Sequence, residues 1–97
     1  MATYIALCNF TDQGIRNVKD STKRADAVKE TAKKLGVNMT QIYWTLGHYD
    51  LVTIIEAPDY KSATAFALAV GAAGNVRTQT LQAFSKEEMN GILGKMA

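Results

Sequence analysis

The sequence predicts an α+β domain in which strands and helices follow the order β-α-β-β-α-β, with one more helix at the end. Four stretches are rich in the β-branched, aromatic and other apolar residues typical of strands, and in the last of them apolar and polar residues alternate. A stretch with helical spacing separates the first two strand candidates, and an alanine-rich stretch separates the last two. This order is the split βαβ, ferredoxin-like pattern. Right-handed crossovers then place both main helices on one face of a four-stranded antiparallel sheet with strand order 4-1-3-2.

The first half of the chain supplies one strand and one long helical stretch. Residues 3–10 form the first strand candidate, and both of its faces are largely apolar, which favours a central strand. Residues 15–35 carry apolar and small side chains at steps of three and four. Asp20-Ser21 within this stretch allows either one bent helix or two short pieces. Gly36 suits the left-handed position that ends a helix.

The second half supplies three strands and a second main helix. We predict strands at residues 39–46, 51–57 and 75–84 from their β-branched and aromatic content. The helix is predicted at residues 60–70, and Pro58 suits its opening turn. Because the last strand is half polar, we expect it to lie at an edge of the sheet.

Two apolar surfaces would stay uncovered in a single chain. Strands 2 and 3 keep apolar residues on both faces, so the sheet face away from the helices is apolar. A capping box from Ser85 to Glu88 begins the terminal helix. That helix carries an apolar stripe of Met89, Ile92, Leu93 and Met96. We therefore expect a homodimer or higher homo-oligomer in which two sheets pack face to face, with the terminal helix as a further contact.

Length, composition and charge restrict the class of protein. The 97 residues predict a single domain over residues 1–97, and the 47% hydrophobic content is sufficient for a core. The single cysteine excludes an internal disulfide, which fits a reducing compartment. The start lacks the basic and apolar regions of a signal peptide, and the longest weakly polar run, residues 63–73, is too short to cross a bilayer. We expect a cytoplasmic protein without a membrane partner.

Nucleic acid is not an expected partner either. The formal net charge is only +2. The basic residues of the first helical stretch are interleaved with acidic ones, which is typical of a solvated helix face. These basic residues are Lys19, Lys23, Arg24, Lys29, Lys33 and Lys34.

The turn between strands 2 and 3 carries a recognisable motif. Gly-x-Tyr-Asp at residues 47–50 follows Tyr-Trp-Thr-Leu at 43–46 and precedes Glu-Ala-Pro-Asp at 56–59. Further segments are residues 11–14, Asp20-Ser21 with Arg24 and Ala25, and residues 74–78. With all of these, the chain resembles the GYD domain family of small bacterial and archaeal proteins over about residues 3–88.

The resemblance implies a layout similar to that of the dimeric α+β-barrel group. That group includes the effector-binding domains of leucine-responsive regulators and small cofactor-free monooxygenases. The resemblance therefore implies the same fold and a dimer, and it supplies no catalytic residues. Position 48 is a histidine, where the family pattern has a basic residue such as arginine.

The residues that could carry chemistry are few. His48 is the only histidine and is expected to be exposed in the turn, and the spacings that hold zinc are missing, so we expect neither a metal nor a cofactor. Cys8 is interpreted as a small core residue without a neighbouring base. Glu56 and Arg77 are interpreted as a salt bridge, within one chain or across a dimer, or as a base facing a pocket. The candidate ligand-binding residues are Tyr43, Gly47, His48, Tyr49, Asp50, Glu56 and Arg77.

Three functions remain open at this point. The first is a homo-oligomer that binds a small molecule at or near the dimer interface, or that serves as an interaction module. The second is a cofactor-free enzyme of the α+β-barrel type, isomerase-like or monooxygenase-like, with acid–base residues in an interfacial cavity. The third is a structural or assembly module whose terminal helix drives higher oligomers. The first is favoured because the sheet is apolar on both faces while the sequence shows no recognisable catalytic set.

Overall fold

A computed structural model describes residues 1–96, which form four strands, four α-helices and one short 3₁₀ helix. The strands are β1 (Ala2–Phe10), β2 (Asn38–Trp44), β3 (Leu51–Ala57) and β4 (Val76–Ala83). The helices are α1 (Asp12–Arg16), α2 (Ser21–Lys34), α3 (Tyr60–Ala72) and α4 (Lys86–Leu93), and the 3₁₀ helix spans Val18–Asp20.

The strands form one antiparallel sheet in the order β2-β3-β1-β4. This is the predicted order 4-1-3-2 counted from the other edge, so the ferredoxin-like α+β fold is confirmed. β1 is central, and β4 is an edge strand as its polar alternation predicts. β2 ends at Trp44, two residues before the predicted end, and Leu46 is fully exposed beyond it.

The first helical stretch is broken, so the alternative of one continuous helix is wrong. Thr11 caps α1 by accepting a hydrogen bond from the backbone N–H of Gly14 at 3.1 Å. The amide of Asn17 then donates to the carbonyl of Gln13 at 3.0 Å, and the chain tightens into the 3₁₀ helix. Asp20 does occupy the N-cap position of α2, but its side chain makes no capping hydrogen bond to the helix.

The end of α2 follows the predicted glycine signal. Gly36 has a φ of +74°, a left-handed conformation that a residue with a Cβ rarely adopts. The N–H of Gly36 donates to the carbonyl of Lys33, and the N–H of Val37 donates to that of Ala32. These two bonds are the Schellman motif, and they satisfy carbonyls that the helix end would otherwise leave unpaired.

The core lies between the sheet and the pair α2 and α3. Ile55 on β3 is 1% exposed, and Ala32 on α2 is fully buried. Phe66 is the large buried side chain of α3, whose other buried residue is an alanine, so this helix lies close to the sheet. The helix begins at Tyr60 with Asp59 as its N-cap, so Pro58 precedes the helix instead of standing in its first turn.

α4 stands away from this core. Its capping box is confirmed: Ser85 and Glu88 each accept a hydrogen bond from the other's backbone N–H, at 3.1 and 2.9 Å. None of its residues is buried, and its apolar stripe of Met89, Ile92 and Leu93 is between 39% and 49% exposed. The described chain therefore has an elongated outline of 52 × 31 × 18 Å.

Candidate functional site

The sheet face opposite α2 and α3 is apolar along its centre, and we refer to it as the open face. Cross-strand pairs join Ile5 to Ile54 and Leu7 to Val52 on this face, and all four side chains are partly exposed. Leu81 on β4 is the other cross-strand partner of Ile5, and its side chain is 45% exposed. The predicted exposure of an apolar sheet face in the single chain is thus confirmed.

The Gly-x-Tyr-Asp turn is fixed to the end of β1. Gly47, in the turn that joins β2 to β3, has a φ of +122°, a conformation that glycine adopts readily because it lacks a Cβ. The Asp50 carboxylate accepts a hydrogen bond from the backbone N–H of Phe10 at 2.8 Å, and the N–H of Asp50 donates to the carbonyl of Cys8 at 2.8 Å. The Asn9 amide donates to the carbonyl of His48 at 2.6 Å. The Asp50 carboxylate thus caps a strand 40 residues away in sequence, while its backbone carbonyl closes the turn by accepting a hydrogen bond from the N–H of Thr45 at 2.8 Å.

Aromatic and polar residues gather at the end of the open face that carries this turn. The Tyr49 hydroxyl lies 3.2 Å from Oε1 of Gln79, so the Tyr49 side chain reaches from the turn to β4. Tyr43 on β2 is 54% exposed and shares a row across the sheet with Val52 and Gln79. Arg77 lies one row further towards the turn, opposite Asn9. Five of the predicted site residues besides Asp50 therefore lie towards the same end of the sheet, with Tyr43 and Arg77 on its opposite edge strands: Tyr43, Gly47, His48, Tyr49 and Arg77.

Glu56 is the predicted site residue that the structure places elsewhere. It is the cross-strand partner of Thr3, whereas Arg77 is the partner of Asn9. Thr3 and Asn9 are six residues apart on one strand, which corresponds to roughly 20 Å. A Glu56–Arg77 salt bridge within one chain is therefore wrong, and a bridge across two copies stays a prediction.

Cys8 has the properties of a core residue. It is 5% exposed on the helix-facing side of β1, and this burial raises the pKa of its thiol to about 11. The thiol therefore stays protonated near neutral pH and is a poor nucleophile. In residues 1–96, moreover, no group of three or more histidine, cysteine, aspartate or glutamate side chains could hold a metal ion.

Sequence reasoning missed a cavity on the helix side of the sheet. A cavity of about 90 Å³ lies between α2, α3 and the sheet, and a groove of about 170 Å³ between the two helices adjoins it. Its floor combines large side chains such as Leu51 and Ile55 with a group of small ones on β1, β3 and β4, including Ala6, Cys8, Thr53 and Thr80. The signal in the sequence that could have indicated this cavity is the occurrence of small residues at strand positions that face the helices. None of the predicted site residues lines either space.

Arg24 also differs from its sequence-based interpretation as part of a solvated helix face. Its guanidinium donates to the carbonyls of Asn17 at 2.6 Å and Gly14 at 3.2 Å, and it lies 5.9 Å from the centre of the Phe10 ring. Arg24 lines both the cavity and the groove. It is the only charged residue among the described residues that line them.

Two other segments that carry the family resemblance, residues 11–14 and 74–78, meet beside Arg24. The Thr11 hydroxyl donates to the carbonyl of Gly74 at 2.5 Å, and the Gln13 amide donates to the carbonyl of Ala73 at 3.2 Å. A Cβ on Gly14 would lie far closer to the Asn75 carbonyl oxygen than van der Waals contact allows, so only glycine fits there. The motif residues near positions 14 and 75 thus join α1 to the start of β4.

The helices of residues 1–96 include none that combines the length and the apolar character needed to cross a membrane.

Comparison with known proteins identifies two relatives from Thermus thermophilus. One is named glutamine synthetase and cystathionine beta-lyase binding protein; it is 33% identical over 84 residues, which cover 86% of this chain and 88% of the relative. The other is the crystal structure of TTHA0845, which matches with a TM-score of 0.56 and 24% identity over 88% of this chain and 95% of its own. At that identity the second match supports the fold alone.

The family assignment rests on a longer match. The model of the GYD domain matches residues 4–93, nearly the whole chain. This range contains the turn at residues 47–50 and both segments that meet at Gly14 and Asn75. The chain therefore belongs to the GYD domain family, as its motifs predicted.

Proposed function

We propose that this protein is a homo-oligomeric interaction module that binds metabolic enzymes in the cytoplasm. The observation that carries the proposal is the open face, where Ile5, Leu7, Val52 and Ile54 form a contiguous apolar patch. Contiguous apolar surface on a folded domain marks an association site. Two copies that packed these sheets about 10 Å apart would remove the patch from water on both sides.

The enzyme partners are proposed from the 33% identical relative. That protein is named for binding glutamine synthetase and cystathionine beta-lyase. We expect this chain to bind enzymes of the same two kinds. Its contact residues would be those at the polar end of the open face: Tyr43, Gly47, His48, Tyr49, Asp50 and Arg77. Aromatic side chains and arginine are the residue types that contribute most to protein interfaces.

A more specific version of this proposal is that a small molecule binds at the interface between two copies. It would contact the polar end of one open face, and Glu56 at the other end would face the second copy. It is supported by the exposure of Tyr43 and the partial exposure of Tyr49 and Glu56 on this face. A crystal structure of the oligomer grown with candidate metabolites tests this form directly.

The association is tested by a charge at the centre of the open face. Ile54→Glu should weaken self-association at least tenfold, because an unpaired carboxylate would be buried between the sheets. Leu68→Glu is the matched control, since Leu68 is 69% exposed on α3. Sedimentation velocity should show the native protein and the Leu68 variant as oligomers and the Ile54 variant as a monomer. Equal masses for all three proteins would refute association through the open face.

The same three proteins test the enzyme partners. Immobilised glutamine synthetase and cystathionine beta-lyase from the same organism should bind the native protein and Leu68→Glu equally. They should bind Ile54→Glu more weakly, since a monomer loses the gain from two linked contacts. Absence of binding by the native protein would refute the proposed partners while leaving the oligomer intact.

A further inference from the structure

The helix side of the sheet contains a space that the sequence builds from small residues. Ala6 on β1 has Thr53 as its cross-strand partner on β3 and Thr80 as its partner on β4, so three small side chains form one row across the floor. The roof includes Ala25 on α2 and Ala67 on α3. Protein cores are normally filled to crystal-like density. Small residues on both the floor and the roof instead leave a cavity of about 90 Å³.

The walls of this space are apolar, with hydroxyl groups on the floor. Val28 on α2 and Phe66 and Val70 on α3 contribute apolar walls. Thr53 and Thr80 of the floor row add polar residues to this lining. An apolar space without an occupant loses the dispersion contacts of its lining atoms. A mostly apolar body is therefore the occupant that this space fits best.

The mouth of the space carries one fixed positive charge. The two hydrogen bonds of Arg24 to the carbonyls of Gly14 and Asn17 hold its guanidinium in place. A guanidinium has five N–H donors, so further donors remain for a ligand. Arg24 lines the outer groove together with Asn75, and the described lining of both spaces contains neither aspartate nor glutamate. This charge would complement an anion, and a carboxylate accepts from guanidinium in two parallel bonds.

We propose that the groove between α2 and α3 binds a small amphipathic carboxylic acid, with its apolar body extending from the inner cavity into the adjoining groove and its carboxylate at Arg24. An apolar cavity of about 150 Å³ is known to accept benzene. The inner cavity of about 90 Å³ and the adjoining groove of about 170 Å³ together give room for a small aromatic or branched aliphatic acid. This site lies on the other side of the sheet from the open face, so it is independent of the proposed association.

Phenylacetate is a suitable probe, and phenylacetamide is its uncharged counterpart. In two-dimensional amide NMR of the native protein, phenylacetate should shift the resonances of residues around Ala6, Thr53 and Thr80. Phenylacetamide should bind about tenfold more weakly, because it lacks the charge-assisted bonds to Arg24. Shifts confined to the open face, or none up to the solubility of phenylacetate, would overturn the proposal.

Two pairs of variants locate the site. Ala67→Leu should fill the cavity and weaken phenylacetate binding at least tenfold. Ala65→Leu is the matched control, because Ala65 is exposed on the same helix and does not line the cavity. Arg24→Gln should remove the preference for acid over amide, whereas Arg24→Lys should keep part of it. Unchanged binding in Ala67→Leu, or an unchanged preference in a folded Arg24→Gln protein, would overturn the proposal. Sedimentation of Ala67→Leu should match that of the native protein, which separates this test from that of the open face.

Discussion

Asp50 of the Gly-x-Tyr-Asp motif has a structural role that depends on residues distant from it in the sequence. Its backbone joins the turn to β1 through the Cys8 carbonyl, and its carboxylate accepts the N–H of Phe10. Phe10 is the last residue of β1, where the ladder no longer supplies an acceptor from a neighbouring strand on that side. The aspartate of the Gly-x-Tyr-Asp motif therefore completes the hydrogen bonding of the central strand.

We predict that Asp50→Ala lowers the free energy of unfolding by about 1–3 kcal/mol, because the N–H of Phe10 loses its acceptor in a partly buried position. Asp50→Asn keeps an oxygen at the same place and should lose less than half as much. Urea unfolding of the three proteins measures the difference. If the alanine variant were as stable as the native protein, the hydrogen bond from Phe10 to Asp50 would make no contribution to folding.

Gly14 provides a second case at the scale of the residue. It is buried although it lies in the short helix α1, and its Cα faces the Asn75 carbonyl. Glycine is required at position 14 because two backbone segments approach each other closely there. A positive φ is not the reason, since Gly14 does not have a left-handed conformation. Arg24 then joins the same corner by its bond to the Gly14 carbonyl.

At the scale of the element, the helix ends are determined by local hydrogen bonds. α3 begins where Asp59 accepts a hydrogen bond from the N–H of Ser62 at 2.8 Å. The backbone N–H of Ser62 is the main cause that lowers the pKa of the Asp59 carboxyl from its ordinary value of 3.8, and the Ser62 hydroxyl adds to it. The charged form of Asp59 is therefore favoured in the folded state.

We predict that the contribution of Asp59 to stability depends on pH. Since the pKa of Asp59 is lower in the folded state, this contribution is complete above the unfolded pKa of 3.8 and is lost as the pH falls through the folded pKa. Asp59→Asn keeps the capping oxygen but cannot be protonated in this range. The stability advantage of the native protein over Asp59→Asn should therefore shrink when urea unfolding is repeated from pH 6 down to pH 3. A constant difference across that range would contradict the assignment.

At the scale of the whole molecule, one sheet presents two surfaces with different properties. The helix side encloses the core and the cavity beside Arg24, while the open face exposes its apolar centre. α4 extends beyond both, with its apolar stripe exposed. A capped helix that is unpacked on its own domain and apolar on one side fits a contact with a second copy.

We predict that the double variant Met89→Glu with Ile92→Glu leaves the domain folded but weakens self-association. α4 buries none of its residues in the single chain, so the amide NMR spectrum of the sheet should stay unchanged. Asn90→Glu is the control, because Asn90 lies outside the apolar stripe on the same helix. Sedimentation at several concentrations measures the association. If the double variant and the control behaved alike, α4 would have no part in the oligomer.

Much of the fold could be predicted from sequence because the signals are local. The β-branched, aromatic and apolar content of four stretches identified all four strands, and the bounds of β3 were predicted without error. The signals at Gly36 and from Ser85 to Glu88 identified a helix end and a helix start. The break between α1 and α2 was left open, because it depends on hydrogen bonds that Arg24 makes to the carbonyls of Gly14 and Asn17.

The candidate site was predicted only in part. His48 and Tyr49 were predicted together because they are neighbours in the turn, whereas the position of Arg77 near that turn follows from the pairing of β4 with β1. The distance between Glu56 and Arg77 depends on the registers in which β3 and β4 pair with β1. Tertiary contacts set these registers, so the sequence alone did not reveal the distance. The cavity was not predicted at all, since it arises where small residues from three strands and two helices meet.

The sequence by itself determined the order of the elements, the strand order, the family and the apolar character of both sheet faces, because periodicity, caps and motifs are properties of neighbouring residues. Only the tertiary structure decided that Asp50 caps β1, that Gly14 touches Asn75, and that Arg24 stands at the mouth of a cavity. These contacts join residues that are distant in the chain. Their geometry follows from packing helices on a sheet, where the volume of each side chain limits what its neighbours can approach.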